Sequence, residues 1–110
     1  MRNIYLSDSF KAFYSSLNDK AKTKLDYAIE VMTSIKVVNE KLVKKLTNTE
    51  FYELRVKQGN EYRIIMFSID SDSFIESNEV ILLNGFIKKS TKDYKKQIKL
   101  AKSILKDFEL

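Results

Sequence analysis

Phe51-Tyr52-Glu53-Leu54-Arg55-Val56-Lys57, then Gln58-Gly59-Asn60, then Glu61-Tyr62-Arg63-Ile64-Ile65-Met66-Phe67-Ser68-Ile69, is the stretch that decides the fold. Both outer runs are rich in aromatic and branched residues, and the short polar break holds one of only two glycines. This is the pattern of a β-hairpin. Alternation puts Tyr52, Leu54 and Val56 on one face of the first strand, and Glu53, Arg55 and Lys57 on the other. Arg63 interrupts an otherwise apolar second strand. An arginine within a strand costs desolvation unless it is paired or exposed to a ligand. Two readings follow. Glu53 neutralises Arg55 or Arg63 in a structural pair, or the sheet face holds guanidinium groups for phosphate, which they match as a bidentate fork.

Toward the C-terminus, Asp70–Asn78 is a polar loop; Asp70 and Asp72 alone are a weak calcium signal, lacking the remaining ligand spacing. Val80–Ile87 is the most apolar stretch and reads as a third, central strand. It delivers Phe86, Lys88 and Lys89, an aromatic beside two cations, which suits single-stranded nucleic acid. Gly85 permits a bulge or a close approach. A last helix spans about Lys92–Phe108. Tyr94, Ile98, Ala101, Leu105 and Phe108 form its apolar stripe, with Lys95, Lys96, Lys99, Lys102 and Lys106 over the rest.

Toward the N-terminus, residues 37–49 are ambiguous, with Asn39 placed to cap a helical turn over Glu40–Leu46. Two amphipathic helices precede them. Leu25, Ala28, Ile29, Met32 and Ile35 share one face of the second, which Asp19 is placed to cap. Phe10, Phe13, Tyr14 and Leu17 share one face of the first, capped by Ser7 or Ser9. Asn3–Leu6 reads as a short strand. The order predicts one α+β domain over residues 1–110: an N-terminal helical hairpin packed on a small antiparallel sheet, with a C-terminal helix.

The 110-residue chain contains no cysteine and no histidine. That removes thiolate chemistry, the usual acid–base group near neutral pH and the usual nitrogen metal ligand. No apolar run is long enough to cross a bilayer and no signal-peptide pattern opens the chain, so a soluble, cytoplasmic protein is expected. The net charge of +5 is unevenly placed. Basic and acidic groups cancel over residues 1–87, whereas residues 88–110 hold eight lysines against Asp93, Asp107 and Glu109. Such a patch concentrates polyanions.

Four motifs occur in order: Phe51-Tyr52-Glu53-Leu54-Arg55, Glu61-Tyr62-Arg63-Ile64-Ile65, Leu82-Leu83-Asn84-Gly85-Phe86-Ile87-Lys88-Lys89-Ser90-Thr91-Lys92, and Lys95-Lys96-Gln97-Ile98 with Ala101-Lys102. Together they resemble the phage-derived, HigB-like branch of the RelE/ParE toxin superfamily. The resemblance implies a RelE-like fold and the toxin of a type II toxin–antitoxin system, acting as a ribosome-dependent, metal-independent endoribonuclease on messenger RNA. Its partners would be a helix-turn-helix antitoxin, the ribosome and mRNA, with no cofactor and no membrane.

Carried onto this chain, Arg55, Arg63, Lys88 and Lys89 are the expected catalytic residues, and Lys57, Phe86, Lys92 and Lys95 the RNA-binding ones. Asn84 stands where many relatives carry histidine, Ser90 replaces a threonine, and Tyr94 stands where proline is common. The expected chemistry is attack by the ribose 2′-OH on the adjacent phosphate, with Arg55 and Arg63 clamping that phosphate and Glu53 orienting an arginine. Competing readings are a ParE-like inhibitor of DNA gyrase, which shares the fold, and a binding module without catalysis.

Overall fold

The computed structural model describes residues 1–108. It contains β1 (Asn3–Leu6), α1 (Asp8–Ser15), α2 (Asp19–Ser34), β2 (Val43–Lys45), β3 (Phe51–Gln58), β4 (Asn60–Ser68), β5 (Glu79–Ile87) and α3 (Asp93–Phe108). The five strands form one sheet in the order β1-β5-β4-β3-β2. The α1–α2 pair covers one face and α3 the other, so both expected halves of the α+β fold are present.

The hairpin forms as its sequence dictates. Gln58 pairs with Asn60 across Gly59, whose φ of 72° lies in the left-handed region open to glycine. Alternation then divides the core. Leu54, Val56, Tyr62, Ile64 and Met66 pack under Phe10, Leu25, Ala28 and Met32 of the helical pair. Phe51, Ile65, Ile81 and Leu83 face Ala101 and Leu105 of α3. Ser7 caps α1 by accepting from the Phe10 N–H, and its own hydroxyl donates to the Leu83 carbonyl, fixing the helix to the sheet.

Several local expectations change. β1 runs parallel to β5, so the sheet is mixed rather than wholly antiparallel. The α1–α2 pair carries the chain from β1 to β2 at the far edge, and the antiparallel run from β2 to β5 then brings β5 back beside β1 in the same direction. Asn18, not Asp19, caps α2, its side chain accepting from the Ala21 N–H at 2.8 Å. Asn39 closes only a turn, and Val43–Lys45 extends the sheet beside β3 instead of continuing a helix. Backbone pairing with an open sheet edge outweighs a capping signal with no apolar helical face behind it. Phe108, expected in the α3 core, is 48% exposed.

Gly85 serves packing. A Cβ there would lie 2.3 Å from Cδ2 of Phe13, so the α1 ring occupies the space a side chain would need. The register irregularity falls one step earlier, where Ile65 pairs with Asn84 but Met66 pairs with Leu82. The extra residue turns both Leu83 and Asn84 toward α3. Asp70, the weak calcium candidate, clasps its loop: its carboxylate accepts from the Ser77 hydroxyl and from the backbone of Asn78 and Glu79. No described helix is long and apolar enough to cross a membrane.

Candidate active site

The α3-facing side of the sheet carries two cross-strand rows. In the first, Arg55 of β3 lies opposite Arg63 of β4, which lies opposite Phe86 of β5. In the second, Lys57 lies opposite Glu61, whose carbonyl accepts from the Lys88 N–H. Directly opposed like charges destabilise a strand pair unless an anion offsets them. Arg55, Lys57, Glu61 and Arg63 line a shallow groove of about 260 Å³ together with Val56 and Lys41.

Arg63 is the buried hub, 3% exposed. Its Nε lies 3.2 Å from Glu53 Oε1 and donates to the Tyr94 hydroxyl at 3.1 Å. Its Nη2 donates to Glu61 Oε1 at 3.0 Å. Tyr94 in turn donates to Glu53 Oε1 at 2.6 Å. Burial opposes the Arg63 cation, but the bonds to Tyr94 and Glu61 and the Glu53 charge more than offset it, so its pKa is raised. Burial, followed by the bond to Glu53, pushes the Tyr94 phenol up to about 12. Glu61 is held below the usual carboxylate range, first by its bond to Arg63 and also by the charges of Lys88 and Lys57.

The buried pair read from the strand pattern therefore joins Glu53 to Arg63. Arg55 is only partly buried, and the ion pairs among the described residues are those of Arg63 with Glu53 and Glu61. Arg55 and Lys57 are thus in no ion pair among the described residues. Lys88 projects over the Tyr94 ring with Nζ 5.8 Å from its centroid, a cation–π contact at the edge of the cluster.

The remaining expected residues divide. Phe86 is buried, edge-on to Tyr94 at 5.4 Å between centroids, so it forms the floor under the phenol and not an open platform for stacking bases. Lys89, Lys92 and Lys95 are exposed and lie outside the groove lining. Asn84 is 1% exposed beneath α3, donating to the backbone and side-chain oxygens of Gln97, both at 3.1 Å. It anchors the helix and does not face the groove.

Three contributors were not among the expected site residues. Glu61 stood inside a quoted motif, but its exposed strand-end position carried no chemical signal. In sequence Tyr94 reads either as a phenol near the site or, by preference, as a member of the apolar helical stripe; its hydroxyl in fact reaches Glu53 and Arg63 on the sheet. Asp93 shapes the Lys88–Lys92 loop by accepting from the Lys89 and Ser90 N–H groups at 2.8 and 3.0 Å. The Ser90-x-x-Asp93 spacing is a capping-box pattern and could have been read.

Residues 12–106 match the family described as phage-derived protein Gp49-like, and the chain belongs to that family. This bears out the resemblance to the phage-derived, HigB-like branch of the RelE superfamily. The fold is that of the E. coli toxin RelE. A double-arginine mutant of RelE solved in the free state superposes with a TM-score of 0.61 at 17% identity, over 89% of this chain and 95% of that one. The isolated RelE toxin superposes at 0.58 and 17% identity, over 90% of this chain and 97% of that one. No curated protein matches the sequence.

Proposed function

We propose that this protein is the toxin of a type II toxin–antitoxin pair and that it cuts messenger RNA on the translating ribosome. The observation that carries this reading is the placement of Arg55 directly across from Arg63 on a groove that also holds Lys57, with the Tyr94–Glu53 pair behind it. Membership in the Gp49-like family and the RelE fold support the toxin class.

In the proposed reaction a ribose 2′-OH attacks the adjacent phosphorus and the 5′ oxygen of the next nucleotide leaves. The products are a 2′,3′-cyclic phosphate and a 5′-hydroxyl end. Arg55 and Arg63 hold the equatorial oxygens, where charge builds in the transition state. Lys57 and Lys88 supply further positive potential, and Lys89, Lys92 and Lys95 guide the strand toward the groove. Tyr94, with its pKa near 12, is protonated at neutral pH and gives its proton to the leaving 5′ oxygen, with Glu53 holding the phenol in place; the 2′-OH proton passes to solvent, and solvent reprotonates the Tyr94 phenolate. The chain has no histidine to serve as a base near pH 7, which fits an enzyme that depends on the ribosome to align its RNA. A helix-turn-helix antitoxin is the expected partner that silences it.

Inducing the gene and sequencing RNA 5′ ends, with and without a translation inhibitor, tests the proposal. New 5′-hydroxyl ends that vanish when translation stops are the expected result. Growth arrest with intact RNA and a DNA-damage response would replace it with the gyrase-inhibitor reading.

A further inference from the structure

The groove built for an anion already contains one. Glu61 Oε1 receives Arg63 Nη2 at 3.0 Å, and the charges of Lys57 and Lys88 act on the same carboxylate. Arg55 stands diagonally across from it in the strand register. Glu61 is therefore an acid set among four cations, at the place a phosphate would bind. The two carboxylates of the cluster differ in how they are held. The Glu53 side chain is 5% exposed and tied to both Arg63 and Tyr94. The Glu61 side chain is 49% exposed and held by one strong contact. Glu53 is built in, whereas Glu61 can rotate out into solvent about its own side-chain bonds at little desolvation cost.

We propose that Glu61 is a specificity-determining gate: its carboxylate occupies the phosphate position of the groove and must be displaced before RNA can bind. This rests on the phosphate-binding role assigned above. The gate selects for ligands that present several phosphates along a strand, because a lone phosphate must compete with a tethered carboxylate at high effective concentration. Contacts of the strand with Lys89, Lys92 and Lys95 would offset that competition, and free nucleotides cannot make them. Glu61 thus weakens binding of isolated RNA and leaves productive binding to RNA held in place by another body.

Fluorescence anisotropy with a 2′-O-methyl RNA 12-mer, at several salt concentrations, tests the gate in the full-length protein. Glu61→Gln is expected to tighten binding about tenfold and to steepen the dependence of log Kd on log salt by up to about 0.7, the increment for one more phosphate contact on a single strand. Glu61→Asp keeps the charge but withdraws the carboxylate by one methylene, and is expected to move in the same direction. Glu30→Gln, an equal charge change on exposed α2, is expected to leave binding near wild type. If Glu61→Asp matches wild type while Glu61→Gln matches Glu30→Gln, simple charge explains the data and the gate is overturned. Unchanged binding in both Glu61 variants, with a wild type that binds RNA and loses it on Arg55→Ala, overturns the gate alone. A wild type that binds no RNA, even with ribosomes added, overturns the functional reading beneath it.

Discussion

The Tyr94 hydroxyl lies 2.6 Å from Glu53 Oε1, joining the first turn of α3 to the middle of β3 across 41 residues of chain. Arg63 Nε meets both atoms, so the three groups close a triangle beneath the groove. Tyr94→Phe removes the phenol and leaves the ring packing in place. It is expected to cost about 1.5–3 kcal/mol of stability, the range for hydrogen bonds to charged groups, since the hydroxyl bonds both Glu53 and Arg63. Cleavage should fall by about one to two orders of magnitude, in the range found for lost proton transfer. Thermal unfolding and toxicity titration check the two effects separately.

Arg55 and Arg63 sit opposite one another but should respond differently to removal. Arg55→Ala is expected to leave the melting temperature near wild type and abolish growth arrest, because no described carboxylate depends on Arg55. Arg63→Ala strands Glu53 in a buried position and is expected to destabilise the domain by about 3–5 kcal/mol. That is a large share of the roughly 5–15 kcal/mol that holds a domain folded. Circular dichroism melts of both variants decide it; equal melting temperatures would show that Glu53 is held mainly by Tyr94.

Gly85→Ala places a methyl group inside the Phe13 ring position and should destabilise by about 1–3 kcal/mol, as overpacking does. Phe13→Ala combined with Gly85→Ala should cost less than the sum of the single changes, since the clash disappears with the ring. A double-mutant cycle in urea measures the coupling. Strict additivity would mean that α1 shifts freely away from β5.

The pH dependence of stability follows from the signs of the shifts. Tyr94 has its pKa raised to about 12 by burial and by Glu53, so the protonated phenol favours the fold. Its contribution is complete below the unfolded tyrosine value of about 10 and is lost as pH rises through 12. Asp70 is shifted the other way, chiefly by the Asn78 N–H, and Asp93 by the Lys89 N–H. Their contributions are complete above the unfolded aspartate value of about 3.9 and are lost as pH falls below it. Melting temperatures across pH should show a plateau with losses at both ends. Tyr94→Phe should flatten the alkaline loss and Asp70→Asn should reduce the acid one.

Much of this was legible in the chain. The hairpin around Gly59, the third strand, the three helices and the Arg55 and Arg63 positions follow from periodicity and from charges in unusual places. The parallel edge strand was not legible, because Asn3–Leu6 is too short to carry a direction and its partner lies far off in sequence. The site's second layer was hidden for a related reason. Tyr94 satisfies a helical stripe and a polar contact at once, and a one-dimensional pattern cannot say that both hold. Phe86 beside Lys88 read as a stacking surface, yet the α3 ring that covers it comes from eight positions further along the chain.

The parallel pairing of β1 with β5 also sets a timetable. Asn3 and its partner Glu79 are separated by 76 residues, so the first strand to leave the ribosome waits for nearly the last to arrive. Contacts of such long range close late in folding. The groove obeys the same clock, since Tyr94 is among its final parts to be synthesised. A nascent chain therefore cannot close the Glu53–Arg63–Tyr94 triangle until α3 has followed the sheet out of the ribosome.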